Sequence, residues 1–244
     1  MKLVNLVYRH LATVPGALEW AWSTVGPAFE EGEFADRSRA LVSIGGNVTA
    51  DSISCALAGL TEEEGSGVLA TLDAYNRANP MNAISLRVIA TALEAGRPAG
   101  WRRPNPAGNG SLTVLLPMAP LDRVSAETME ILYRLAWLTT GQDRGLVPSL
   151  FRHFAAWPAF LTALADWLEP LAASGQIERQ VADISGLANG IADDIFARLP
   201  PPRGDAVLPD ASTRARLVET IEIFPPAICR MIVIGGLLRT AIKP

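Results

Sequence analysis

The sequence predicts an all-α protein made of two tandem helical repeat units, packed as a pseudo-two-fold pseudo-dimer. Three observations support this. Apolar residues recur at intervals of three and four along most of the chain, the spacing of one helix face. Residues that commonly start helices stand before several of these segments. The chain also contains an internal repeat, the sequence signature of a tandem architecture.

The composition bounds the class of protein. Of 244 residues, 49% are hydrophobic and 19% charged, so the chain can bury a core and wholesale disorder is excluded. A net charge of −4 offers no basic face for nucleic acid. No uninterrupted apolar run approaches the roughly 18–20 residues of a membrane helix. The N-terminus does not resemble a signal peptide. We therefore expect a cytoplasmic protein without nucleic-acid or membrane partners, and its high apolar content is compatible with a homodimer.

The first half begins with a helix over residues 3–12, where leucine and valine recur at helical spacing. Pro15 suits the first turn of the next helix, because its missing N–H has no partner there. Thr61 and Glu64 form a capping box, which predicts a helix over 62–77.

Asn79 and Pro80 then predict a helix N-cap followed by a first-turn proline, so that a separate helix runs to about Leu93. As an N-cap, the Asn79 side chain would bond backbone N–H groups. Facing a cavity, it would instead hold a water molecule or a carboxylate. The spacing leaves both alternatives open.

The second half has the same helical character, with one helix over 126–138. Further helices are predicted at about 149–156, 159–173, 177–198, 211–223 and 227–240. Residues 95–111 are rich in proline, glycine and arginine, which is typical of a linker. The predicted division is therefore unit 1 at 1–94, a linker at 95–119 and unit 2 at 120–244.

The internal repeat relates residues 7–32 to residues 150–175 at a constant offset of 143, with seven of 26 positions identical. The identical pairs include Arg9 with Arg152 and His10 with His153. Residues 72–93 align with 221–242 at an offset of 149, mainly by apolar pattern. Two similar units favour a small-molecule site at their interface.

The two copies differ in polarity over one segment. Asn76, Arg77, Asn79 and Asn82 stand where the second copy has Pro225, Pro226, Ile228 and Met231. An asymmetric site would explain the difference. Burial of that surface in the second unit would explain it equally.

The titratable residues allow both structural and chemical roles. His10 and His153 would bind a metal or relay protons if they met, but bonding to backbone beside an X-Pro turn is the favoured interpretation. Asp143 lies in a glycine-flanked turn and would be a turn residue or a general base. Cys55 and Cys229 are predicted to be buried thiols, and no metal site or cofactor is expected.

The runs HLATVPGALEWAW, LDAYNRANP and SLFRHFAAWPAFL resemble the group I 2-haloacid dehalogenases, which are cofactor-independent and configuration-inverting. The resemblance extends loosely over most of the chain. It implies an all-α pseudo-dimer that hydrolyses 2-halocarboxylic acids. In that family an Asp activates a water that attacks C2 directly, and an Asn helps to bind this water.

Carried over by motif, the family's Asn is Asn79, and the position of its catalytic Asp is Leu150. Leucine cannot deprotonate water, so Asp143 becomes the candidate base. The resemblance further implies that Tyr75 and Ser149 line the site, and Arg9 or Arg152 would hold a substrate carboxylate in a bidentate pair. The predicted function is a divergent dehalogenase-like hydrolase of a small 2-substituted carboxylic acid. The alternative is a non-catalytic helical protein that binds a small apolar ligand or a protein partner.

Overall fold

The computed structural model describes residues 6–45, 53–54, 59–98, 115–141, 146–199 and 207–243, and it confirms the all-α class. The helices follow one another along the chain. They are α1 (Leu6–Leu11), α2 (Ala17–Glu30), α3 (Glu33–Gly45), α4 (Glu62–Glu94), α5 (Ala126–Thr140), α6 (Ser149–His153), α7 (Pro158–Ala173), α8 (Gln176–Arg198), α9 (Ala211–Glu222) and α10 (Phe224–Ala241).

The internal repeat is visible in the local structure of both copies. A short helix, a turn and a long proline-containing helix form α1–α2, and the same succession forms α6–α7. Each copy ends at a glycine with positive φ, Gly32 at 78° and Gly175 at 68°, which permits the sharp turn after the helix. The next helices, α3 and α8, begin one residue later, so the offset of 143 holds there too.

The prediction of two helices separated at Asn79 is wrong. α4 runs without interruption from Glu62 to Glu94 and contains Pro80 in its interior. Asn79 is therefore a helical residue and not an N-cap. An interior proline removes one backbone hydrogen bond and usually kinks or breaks a helix, and here the packing of the buried C-terminal half outweighs that cost.

The aligned segment of the second copy does break. α9 begins at Ala211, which the offset of 149 relates to the start of α4. Helix α9 ends at Glu222, and α10 starts at Phe224, just before Pro225 and Pro226. Proline lacks the N–H that would continue α9 and suits the first turn of a helix, so the proline pair belongs to the start of α10.

Helix α3 was not predicted from the sequence. Its inner face is formed by Phe34, Ser38 and Leu41, which are buried at helical spacing. A serine in the middle of the stripe interrupts the apolar pattern. The Ser38 hydroxyl bonds the carbonyl of Ala35 at 2.9 Å, which satisfies it in the interior.

A two-residue parallel pair joins β1 (Ile53–Ser54) to β2 (Ile242–Lys243), with Ile53 opposite Ile242. Both isoleucines are buried. The pair is too short to alter the all-α class.

The chain forms two compact units by contact density. One comprises Met1–Arg39, Pro80–Asn109 and Ser185–Ile228, and buries Trp20 and Phe34. The other comprises Ala40–Asn79, Gly110–Ile184 and Cys229–Pro244, and its largest buried side chains include three phenylalanines. The division at 95–119 drawn from the repeat stays a prediction.

The helical stretch Ala211–Ala241, which contains α9 and α10, is long and apolar enough to cross a membrane by those two measures. The mean hydropathy of its most apolar window is 1.7, and half of that window is buried inside the protein. A buried core helix passes the same test. Within α10, Cys229 is buried as predicted, whereas Cys55 lies outside the described residues.

Candidate functional site

Two helices carry most of the predicted site residues. Tyr75 and Asn79 lie on α4, and Ser149 and Arg152 lie on α6. All four are half-buried. Arg9 lies on α1, where its side chain is exposed, and Asp143 lies outside the described residues. The structure brings Tyr75, Ser149 and Arg152 together, because both α6 side chains act on the Tyr75 hydroxyl.

An irregular segment at residues 115–120, which we call the strap, holds α6 in position. The Ala119 N–H donates to the Arg152 carbonyl at 3.1 Å. In return, Nε and Nη2 of Arg152 donate to the Ala119 carbonyl at 3.2 and 3.0 Å. On the side of α4, the Leu116 N–H donates to Oγ1 of Thr71 at 3.3 Å. The strap therefore connects α4 with α6 through hydrogen bonds made by its own backbone groups.

His153 is buried at the end of α6 and bonds on both ring nitrogens. Nδ1 lies 2.5 Å from the Leu116 carbonyl oxygen, and Nε2 lies 3.1 Å from the Tyr75 hydroxyl. A carbonyl oxygen only accepts, so Nδ1 carries the proton. In a neutral ring Nε2 is then the acceptor, and the Tyr75 hydroxyl donates to it.

The pKa of Tyr75 is strongly shifted. Burial raises the pKa of its phenol to about 12. A hydrogen bond from Ser149 and the positive charge of Arg152 oppose that rise. The phenol therefore remains protonated at neutral pH, consistent with its role as donor to His153.

The pKa of His153 is lowered, chiefly by burial. The hydrogen bonds to the Leu116 and Pro117 backbones favour the charged ring, and the nearby Arg152 guanidinium disfavours it. The ring is therefore neutral at neutral pH. We call Tyr75, Ser149, Arg152 and His153 the α6 cluster.

Leu150 occupies the position where the sequence resemblance places a catalytic acid. It is 1% exposed, so its side chain belongs to the interior. Direct displacement by water needs a base, and an aliphatic side chain supplies none.

The paired histidines differ in surroundings. His153 bonds to backbone, as the favoured interpretation predicted, whereas His10 is exposed. Among the described residues, no group of three or more His, Cys, Asp or Glu side chains is placed to hold a metal ion. The single-copy polar residue Asn76 has a packing role, because its Nδ2 donates to the Gly235 carbonyl at 3.0 Å.

Sequence reasoning missed the link between Tyr75 and His153, which stand 78 residues apart. It also missed the strap, because the acceptors there are backbone carbonyls that no side-chain motif marks. The recurrence of the Arg-His pair and the resemblance of the SLFRHFAAWPAFL run were the signals that pointed to this helix.

Comparison with solved structures gives a fold. The chain is similar to a D-2-haloacid dehalogenase in complex with L-LA, with a TM-score of 0.75 and 18% identity over 99% of this chain and 87% of that one. It is also similar to a D-2-haloacid dehalogenase mutant with D-2-CPA, with a TM-score of 0.74 and 17% identity over 98% and 86%. No family model and no curated protein matches the chain. The chain therefore has the fold of these D-2-haloacid dehalogenases.

Proposed function

We propose that this protein is a divergent haloacid-dehalogenase-like protein that binds a small 2-substituted carboxylic acid at the α6 cluster without displacing the 2-substituent. The burial of Leu150 carries the proposal, because a packing residue stands where the resemblance places the acid that would activate water. The fold supports the class of ligand, and the side chains of the cluster support the mode of binding.

Arg152 is the group we assign to the carboxylate. Its Nε and Nη2 bond the Ala119 carbonyl, which fixes the plane of the guanidinium. Nη1 carries further donors, and a planar guanidinium suits a carboxylate. The side chain is half-buried, so the ion pair would be partly desolvated and stronger than one at the surface. Arg9, its counterpart in the repeat, is exposed on α1.

Neither titratable neighbour in the cluster replaces the missing base. Tyr75 is protonated, with a pKa of about 12. The lone pair on Nε2 of His153 already accepts the hydrogen bond from the Tyr75 hydroxyl. A water held there would meet no group ready to take its proton.

Hydrolysis is the second candidate function, favoured by the similarity to D-2-haloacid dehalogenase structures. In this alternative Asn79 would orient the water and Asp143 would act as the base. Asn79 is half-buried in α4, compatible with a side chain that meets a ligand.

The two functions separate in one set of measurements. Calorimetric titration with D- and L-2-chloropropionate measures binding, and a halide assay on the same samples measures turnover. Binding without halide release supports the proposed function. Halide release that Asp143→Asn and Asn79→Ala abolish would establish hydrolysis instead.

Arg152→Lys keeps the charge but loses the two-pronged geometry, so binding should weaken. Arg9→Lys is the matched control in the other copy of the repeat and should leave binding unchanged. Equal effects of both substitutions would contradict the assignment of the carboxylate to Arg152.

A further inference from the structure

The Leu116 carbonyl determines which groups of the α6 cluster donate hydrogen bonds and which accept them. The Leu116 carbonyl accepts from Nδ1 of His153, so this nitrogen holds the ring proton. Nε2 must then accept, and the proton of the Tyr75 hydroxyl is committed to it. A hydroxyl has one proton, so toward every other neighbour Tyr75 presents lone pairs only. The Tyr75 oxygen is therefore a hydrogen-bond acceptor for a ligand that meets it.

This polarity selects the substituent of the bound acid. A halogen at C2 has no proton to donate, whereas a hydroxyl or an ammonium group has. The Arg152 guanidinium, whose charge acts on Tyr75, would repel an ammonium group. A neutral hydroxyl therefore fits both the accepting oxygen and the positive charge.

We infer that His153, held as the Nδ1–H tautomer by the strap, is a specificity-determining residue that makes the α6 cluster select 2-hydroxycarboxylic acids over 2-halocarboxylic acids. His153 acts through Tyr75 and is a positioning residue. The inference rests on the proposed function, because it names the class of acid that the same cluster binds.

The test compares 2-hydroxypropionate with 2-fluoropropionate, which are near-isosteric and differ in the donor at C2. One hydrogen bond predicts a preference of about 2- to 12-fold for the hydroxy acid. Tyr75→Phe removes the accepting oxygen, so the preference should fall to about one. Tyr8→Phe is the matched control, because Tyr8 also bonds a serine, Ser85, at 3.0 Å on other elements.

The outcomes separate the two proposals. If neither acid binds, the proposed function fails, and this inference fails with it. If both bind equally, or if the preference survives in Tyr75→Phe, the inference is overturned while the proposed function stands. A preference that is lost in Tyr75→Phe and kept in Tyr8→Phe supports both.

A second measurement on the unmodified protein needs no variant to fold. The chain contains two histidines. Nitrogen-15 chemical shifts of the rings report which nitrogen is protonated, and the exposed His10 supplies the reference signal. We expect His153 as the neutral Nδ1–H tautomer at neutral pH. A protonated Nε2 with a bare Nδ1 would overturn the inference without involving any ligand.

Discussion

Gly235→Ala tests how closely α10 approaches α4. A Cβ atom at Gly235 would lie under 3.0 Å from Oδ1 of Asn76, a separation that real Cβ atoms essentially never show. The Asn76 side chain cannot turn away freely, because its Nδ2 donates to the carbonyl of Gly235 itself. The substitution therefore forces Asn76 out of its position and breaks this hydrogen bond.

The expected cost has two parts and one compensation. Losing the hydrogen bond costs about 0.5–1.5 kcal/mol. Moving Asn76 off its rotamer costs about 0.5–1.5 kcal/mol more. Alanine gains about 1 kcal/mol over glycine in a helix interior. Gly190→Ala in α8 receives this gain alone, because no atom lies within 4 Å of its added Cβ.

The difference between the two variants removes the helix-propensity contribution. Gly235→Ala should therefore be less stable than Gly190→Ala by about 1–3 kcal/mol, or roughly 2–12 °C in Tm for a chain of this size. Urea unfolding followed by circular dichroism measures the free energies. In an Asn76→Ala background the cost of Gly235→Ala should shrink, because the obstructing oxygen is gone. Equal stabilities of the two glycine variants would refute the close contact.

Three pH-dependent predictions follow from shifted groups, all measured as Tm against pH. Hydrogen bonds from the Thr61 N–H and the Trp157 indole lower the pKa of Glu64, so the stabilisation by its carboxylate should fade below about pH 4.5. Glu64→Gln should remove this pH dependence of Tm, and the control Glu63→Gln, at an exposed residue, should keep it. Asp210 caps α9 and its pKa is also lowered, so Asp210→Ala should reduce Tm at pH 7 and progressively less in acid. Burial lowers the pKa of His153, which lies beside the Arg152 guanidinium and the Tyr75 hydroxyl. As the pH falls, the unfolded chain therefore binds this proton before the folded protein does, and Tm should decline below about pH 6.5. His153→Gln should lose this decline of Tm, and His10→Gln, at an exposed residue, should retain it.

Of the local signals for a helix start, the capping box was right, whereas Pro15 lies before α2, which begins at Ala17. The capping box formed as expected, with the Thr61 N–H donating to Glu64 at 2.8 Å and the Glu64 N–H donating to Thr61 at 3.3 Å. Such contacts lie three residues apart and need no tertiary information. Pro80 shows the limit of the same logic, since only the packing of the following turns decides whether a proline begins a helix or lies inside one.

The residues of the candidate site could likewise be predicted only in part. Tyr75, Ser149 and Arg152 were predicted because the resemblance drew attention to their segments, and the structure brings them together. The direction of the hydrogen bonds could not be predicted, because it depends on the Leu116 carbonyl. Any residue supplies a carbonyl, so no sequence pattern marks the one that fixes the His153 tautomer.

The repeat explains why a leucine suits position 150 and why the α6 cluster, which combines Tyr75 of the first half with three residues of the second, has no repeat-related counterpart. The offset of 143 relates Leu150 to Val7, which is also buried, so an aliphatic residue at this position is what the short helix packs in both copies. The arginine and histidine likewise recur, as Arg9 and His10. The hydroxyl groups of Ser149 and Tyr75 do not recur, because the repeat relates Ser149 to Leu6 and Tyr75 to Phe224. The shared aliphatic residue therefore serves packing in both copies, and the hydroxyl groups of Ser149 and Tyr75 distinguish the α6 cluster from the positions that the repeat relates to it.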